Sequence, residues 1–126
     1  MTEEERRKLG EKRRNIFINV ANGVGLPHIM TNFRCSEAEV ELAVAFVAKK
    51  IKEYRFRRMT EGSPHGAPVI ACDTWFDIRF NRLALLDTLR KLGDLYLSSD
   101  LLLPKITVQK IDSAEMLNEA QHRMRQ

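Results

Sequence analysis

The sequence predicts a mainly α-helical chain with a helix-turn-helix lobe first, a long oligomerisation helix next, and a short strand and helix at the C-terminal end. Three observations predict this. Apolar residues recur three and four positions apart over most of the 126 residues. Helix start and stop signals fall between those stretches at short intervals. The apolar period drops to two in one place, around Ile106 and Val108.

The first helix is expected over residues 4–21. Glu3, Glu4 and Glu5 suit a helix N-terminus, where backbone N–H groups point outward without partners. Leu9, Ile16, Phe17 and Val20 supply an inward face, and Arg6, Arg7, Lys8, Lys12, Arg13 and Arg14 an outer one. Asn22-Gly23 then stops the helix, because either residue tolerates the left-handed backbone of a C-terminal cap.

A short helix follows over 27–33. Pro27 fits its first turn, where a missing N–H costs nothing, and Ile29, Met30 and Phe33 repeat at helical spacing. Arg34-Cys35 breaks the pattern. Ser36 is an N-cap, and Glu39 three positions on completes a capping box. The next helix runs over 37–58, with Val40, Ala43, Val44, Val47, Ile51 and Tyr54 on one stripe. Two helices joined by a turn of three or four residues make a helix-turn-helix, a unit that commonly sets its second helix against DNA. Three features depart from the usual pattern. Met30 stands where a small residue is common and Arg34 where Gly is common, and the second helix opens with Glu37, Glu39 and Glu41, which phosphates repel.

Residues 60–72 hold two Gly and two Pro within a short span, which forbids a regular helix and marks a linker. A second long helix is expected from residue 73 or 74 to 97. Leu85, Leu89, Leu92 and Tyr96 share one face, and Trp75, Phe76, Phe80, Leu83 and Leu86 widen it. A stripe this broad wants partners on two sides, which points to other copies of the chain. The alternation in Pro104-Lys-Ile-Thr-Val-Gln-Lys-Ile-Asp112 is strand spacing. A lone strand must pair, so Ile106 and Val108 are expected at an inter-subunit sheet, with Val69-Ile70 the intramolecular alternative. Asp112 and Glu115 cap a last polar helix over 113–124. The divisions are therefore 1–59, a DNA-binding lobe; 60–72, a linker; 73–112, the oligomerisation helix and strand; and 113–126, a C-terminal helix or tail.

Charge sharpens this. The net balance is +2 over residues 1–14, +3 over 15–59, −1 over 60–112 and zero over 113–126, within a total of +4. The excess sits in the half that holds the helix-turn-helix, which suggests a polyanionic partner for that lobe. Arg13, Arg14, Arg34, Lys49 and Lys50 are the expected phosphate contacts, with Ser36 able to bond a phosphate as well. Part of the cation cluster over 49–58 has a structural reading too, since cations near a helix C-terminus favour the dipole.

Other chemistry has little footing. The glycines match neither a phosphate-binding loop nor a dinucleotide fingerprint, and no nucleophile elbow or His-Glu-x-x-His helix occurs. No catalysis and no cofactor are expected. His28 with Cys35, and His65 with Cys72, repeat one separation of seven. Structural zinc sites pair their ligands two to five residues apart, so the cysteines read as small buried apolar residues and no metal is expected. Two cysteines make no disulfide framework, and the charged N-terminus has no signal-peptide core. No apolar run reaches membrane-spanning length. A cytoplasmic location is expected, the host cytoplasm for a viral protein.

The order of parts resembles the small subunit of a bacteriophage DNA-packaging terminase. Two segments carry the likeness: Val20-Ala-Asn-Gly-Val-Gly-Leu-Pro-His-Ile-Met-Thr-Asn-Phe-Arg-Cys-Ser-Glu-Ala-Glu-Val40, and Arg82-Leu-Ala-Leu-Leu-Asp-Thr-Leu-Arg-Lys-Leu-Gly-Asp-Leu-Tyr-Leu97 with its Leu-Gly pair near the end. Together they cover under half the chain. The resemblance implies recognition of double-stranded viral DNA, self-assembly as a homo-oligomer such as a ring, and a C-terminal segment presented to the large terminase subunit. A dimeric helix-turn-helix regulator of transcription or replication is the alternative. A third class is a protein-interaction module whose cations are merely solvated.

Overall fold

The computed structural model describes residues 2–60 and 70–98, with the side chains of 58–60 left aside. Five α-helices occur there, and no strand is among the described residues. α1 spans Glu3–Ala21, α2 Leu26–Phe33, α3 Glu37–Thr60, α4 Trp75–Phe80 and α5 Arg82–Arg90, with a 3₁₀ turn at Tyr96–Ser98. The chain is mainly α. No described helix is long and apolar enough to cross a membrane. The predicted strand, with Ile106 and Val108, the last helix over 113–124 and most of the linker lie outside the described residues.

α1 forms where the sequence places it. Thr2 Oγ1 accepts from the N–H of Glu5 at 3.1 Å, and Arg7–Glu3 and Lys8–Glu4 pair one turn apart on the exposed side. Its buried side is Gly10, Arg13, Ile16, Phe17, Val20 and Ala21. At the end, Gly23 takes φ +81°, and the N–H of Val24 donates to Asn19 O at 3.0 Å, closing the last turn.

α3 is the central helix. Its stripe Val40, Val44, Val47 and Ile51 is buried as expected, but burial extends around the helix from Ala43 through Ala48. The reason is the uncharged run Ala43-Val-Ala-Phe-Val-Ala48, whose small residues let neighbours close in on the flanks. α1, α2, α5 and the Tyr96–Ser98 turn all pack on this helix.

The expected continuous helix from residue 73 to 97 is instead α4, α5 and the 3₁₀ turn. α4 opens on a full capping box: Asp77 N–H donates to Thr74 Oγ1 at 3.0 Å, and Thr74 N–H to Asp77 Oδ2 at 3.2 Å. Asn81 ends it by tying its side-chain amide to the carbonyls of Ala71 and Asp77, both at 2.9 Å. These local bonds compete with the helix ladder, and the chain restarts as α5. α5 closes on a tightened last turn, with Lys91 N–H donating to Thr88 O at 3.0 Å and Leu92 N–H to Leu89 O at 3.1 Å, and Arg14 of α1 caps this end by donating to Leu89 O at 2.7 Å and to Leu92 O just beyond it.

The break changes the role of the leucine stripe. Leu85, Leu89 and Leu92 are 0, 1 and 6% exposed and belong to the same core as Phe17, Val44 and Ile51. The partners that this face needs come from α1 and α3 of its own chain. The expectation that these leucines seat other copies is corrected accordingly: the face is already covered in one folded chain. What this region leaves exposed is Phe80 at 64% and Leu83 at 77%.

Candidate nucleic-acid interface

α2 and α3 are joined by three residues, Arg34, Cys35 and Ser36. Arg34 sits at φ 51°, ψ 51°, the left-handed conformation, and its N–H donates to Met30 O. Cys35 N–H donates to the same carbonyl at 3.1 Å. Ser36 then starts α3: its Oγ accepts from Glu39 N–H at 3.2 Å, and its carbonyl accepts from Val40 N–H at 3.1 Å. Between the helices Ile29 and Val40 are wholly buried, with Met30 and Phe33 half-buried beside them. Met30 is accommodated at the helix contact because it lies half to the side.

The outer surface of this unit is polar. With Ile29 inward, His28, Thr31 and Asn32 fall on the exposed side of α2, and Arg34 and Ser36 continue it. Glu37, Ala38 and Glu39 are exposed on the first turn of α3, and Leu42 follows at 42%. Lys12 of α1 lies near enough to the turn to favour the thiolate of Cys35, while burial and Glu39 push that thiol up, burial most strongly. The cations near the turn are thus Arg34 and Lys12, next to at least two exposed carboxylates.

The structure divides the expected phosphate contacts. Arg34 and Ser36 lie on the turn, although the Ser36 hydroxyl is engaged as a cap. Arg13 points inward and is 8% exposed. Its Nη1 donates to Leu97 O at 3.0 Å, and its guanidinium lies 4.1 Å from the centre of the Phe46 ring. Burial lowers its pKa. Arg14 is an ion-pair partner of Asp94 at 2.8 Å as well as the donor to Leu89 and Leu92. Lys50 lies over the rings of Phe46 and Tyr96 at 5.4 and 4.9 Å and pairs with Glu53 at 3.5 Å. Lys49 approaches the same carboxylate at 3.9 Å. Arg13 and Lys50 therefore fasten the Tyr96–Ser98 turn to the α1/α3 pair while Arg14 holds the end of α5 and the loop after it, and the reading of Arg13 and Arg14 as outward phosphate contacts is corrected. Tyr96, expected in an assembly face, is half-buried in this contact.

Sequence reasoning did not single out His28, Thr31 and Asn32 as outward groups of this unit, and it placed Lys12 on the outer face of α1 without bringing it to the turn. The signal was available, since a short helix with Ile29 buried must turn positions 28, 31 and 32 outward. Cys72 is buried and its Sγ donates to Ala48 O at 3.6 Å. Burial pushes its thiol up to about 11, which makes it a poor nucleophile at neutral pH. No group of three or more potential metal ligands occurs among the described residues; His65 lies outside them.

No protein-family model, curated protein or solved structure matches this chain.

Proposed function

We propose that α2, its turn and α3 form a helix-turn-helix that binds double-stranded DNA, and that the chain is a non-catalytic DNA-binding adaptor. The observation that carries this reading is the three-residue turn with Arg34 in the left-handed conformation, where such units commonly hold Gly. It lets an eight-residue helix pack through Ile29 onto Val40 while His28, Thr31, Asn32 and Arg34 stay outside. That outer side offers hydrogen-bond donors and a cation to a phosphate backbone. Glu37 or Glu39 would accept from cytosine N4 in the major groove, at the expense of non-specific affinity.

The most specific form of the proposal is a terminase small subunit that recognises viral DNA, assembles on itself and recruits the large subunit. The dimeric regulator of transcription or replication is the second reading, and one observation favours it: Leu85, Leu89 and Leu92 are used up inside the chain, which removes the stripe proposed to build a ring. The experiment is a fluorescence-anisotropy titration with duplex DNA at low salt. Arg34→Glu combined with Lys12→Glu should weaken binding on every sequence, and Glu37→Gln with Glu39→Gln should strengthen it. Affinity indifferent to all four changes removes the helix-turn-helix as the contact surface. Native mass spectrometry then separates a ring from a dimer.

A further inference from the structure

Arg13 is a buried cation with no carboxylate partner among the described residues. At 8% exposure it is as deeply placed as charged side chains go, and such groups are rarely buried unless an opposite charge meets them. Its two contacts are neutral: Nη1 donates to Leu97 O at 3.0 Å, and the guanidinium lies on the Phe46 ring. A guanidinium carries five N–H donors, so the described residues leave most of them unused. Arg14, one position on, has Asp94 at 2.8 Å. Arg13 also lines a cleft of about 320 Å³ between α1 and α3. The apolar walls of this cleft are Leu9 and Ile16 of α1 and Leu42 and Ala43 of α3. Its other charged residues are Lys12, half-buried, and Glu39, exposed.

We propose that this cleft binds a small amphipathic anion, a medium-chain carboxylate, with its head group on Arg13 and Lys12 and its chain against the apolar walls. Size limits the occupant. Ligand sites run from roughly 300 to 1,000 Å³, so a cleft of about 320 Å³ has room for a small molecule and none for a helix or a folded partner. Charge selects an anion, because two cations stand against one carboxylate. The planar fork of a guanidinium matches a carboxylate head group, and the pair would give the buried Arg13 charge its missing partner. Glu39 repels an anion at its own edge, which directs the head group to Arg13. The walls ask for an apolar body, since a chain laid there removes the exposed part of Leu42 from water. The inference does not depend on DNA binding.

An NMR titration of the full-length ¹⁵N-labelled chain with octanoate tests it. Octanol supplies the same body without the charge, and acetate the same charge without the body. Octanoate should shift the amides of residues 9–16 and 39–43 saturably and bind about tenfold more tightly than octanol, the order expected of a charge-assisted hydrogen-bonded pair. Acetate should not saturate over the same range. Leu42→Glu sets a carboxylate into the apolar wall at a position already open to water. It should keep the parent's circular dichroism and lower octanoate affinity about tenfold or more. Arg13→Gln should erase the preference for octanoate over octanol. Should that variant fail to fold, Lys12→Gln makes the same comparison and should reduce the preference severalfold. Absence of saturable shifts, octanol binding as tightly as octanoate, or shifts centred on Phe80 and Leu83 overturn the proposal. A folded Leu42→Glu that binds octanoate as the parent does overturns it as well.

Discussion

Arg14 and Gly10 show how single residues set the path of the chain. A glycine inside α1 weakens the helix, yet a Cβ at Gly10 would lie 1.8 Å from the carbonyl oxygen of Asp94. Only a bare Cα lets the loop after α5 come close enough for Arg14 to hold Asp94, Leu89 and Leu92. Gly10→Ala should therefore destabilise the fold by about 1–3 kcal/mol, the range for overpacking, despite alanine's better helix propensity. Urea unfolding followed by circular dichroism checks this, and a gain in stability would refute the contact. Arg14→Met should cost a similar amount, roughly 1–3 kcal/mol, because it leaves carbonyls and a carboxylate without their donor. Cys72 gives a pH signature. Its folded thiol titrates near 11, above the usual value of 9.0, so the unfolded chain gives up this proton first. The thiol's contribution is whole below pH 9 and is lost as pH rises from about 9 toward 11. In paired denaturation curves, Cys72→Ala should show a shallower alkaline decline than the parent.

At the scale of elements, α1, α2 and α3 were legible because their caps and periods agree. Glu3–Glu5, Pro27 and Ser36 mark the starts, and Asn22-Gly23 and Arg34 the ends; the Thr2 cap is added by the structure. The segment from 74 to 98 was not legible, because what breaks it is not local. Asn81 reaches back to Ala71, and the end of α5 is set by an arginine some 75 positions earlier in the chain. Leucine spacing reports that a face is buried and does not report by what. Likewise, cation-rich α1 reads as an outer surface until Phe46 and Leu97 are seen to claim Arg13. The turn between α2 and α3 yields a prediction with two opposite signs. Arg34 bears the left-handed strain that a side chain incurs, of order 1–2 kcal/mol, offset in part by the greater backbone entropy of glycine. Arg34→Gly should raise stability by roughly 0.5–1 kcal/mol while it weakens DNA binding through the lost cation. A variant that is more stable and binds DNA as tightly would leave the turn as a structural joint only.

For the whole molecule, the question is which surface is left for self-assembly once the core has taken its share. The described residues bury one continuous cluster from Ile16 to Leu97, and α3 runs through its middle. Leu89, 1% exposed, is part of that cluster, so Leu89→Asp would place a carboxylate among apolar neighbours at a cost of several kcal/mol, by rough estimate. The expected outcome is loss of the cooperative melt, and not a folded protein of lower mass. Phe80 and Leu83 differ, because they stand out from the Asn81 joint while Phe80 stacks on Phe76 at 5.6 Å. If copies of the chain meet through the described surface, these two, more exposed than Phe56 or Leu42, are the apolar pair that association through the α4/α5 joint would remove from water. Phe80→Asp with Leu83→Asp should keep the parent's circular dichroism and melting temperature within a few degrees, since both side chains are mostly solvated and only the Phe80–Phe76 ring contact is lost. Sedimentation velocity of the two variants decides the matter. A folded double mutant that sediments more slowly than the parent assigns assembly to the α4/α5 joint. A double mutant that sediments like the parent excludes that joint, and the test then passes to the expected inter-subunit segment, where Ile106 and Val108 alternate at strand spacing.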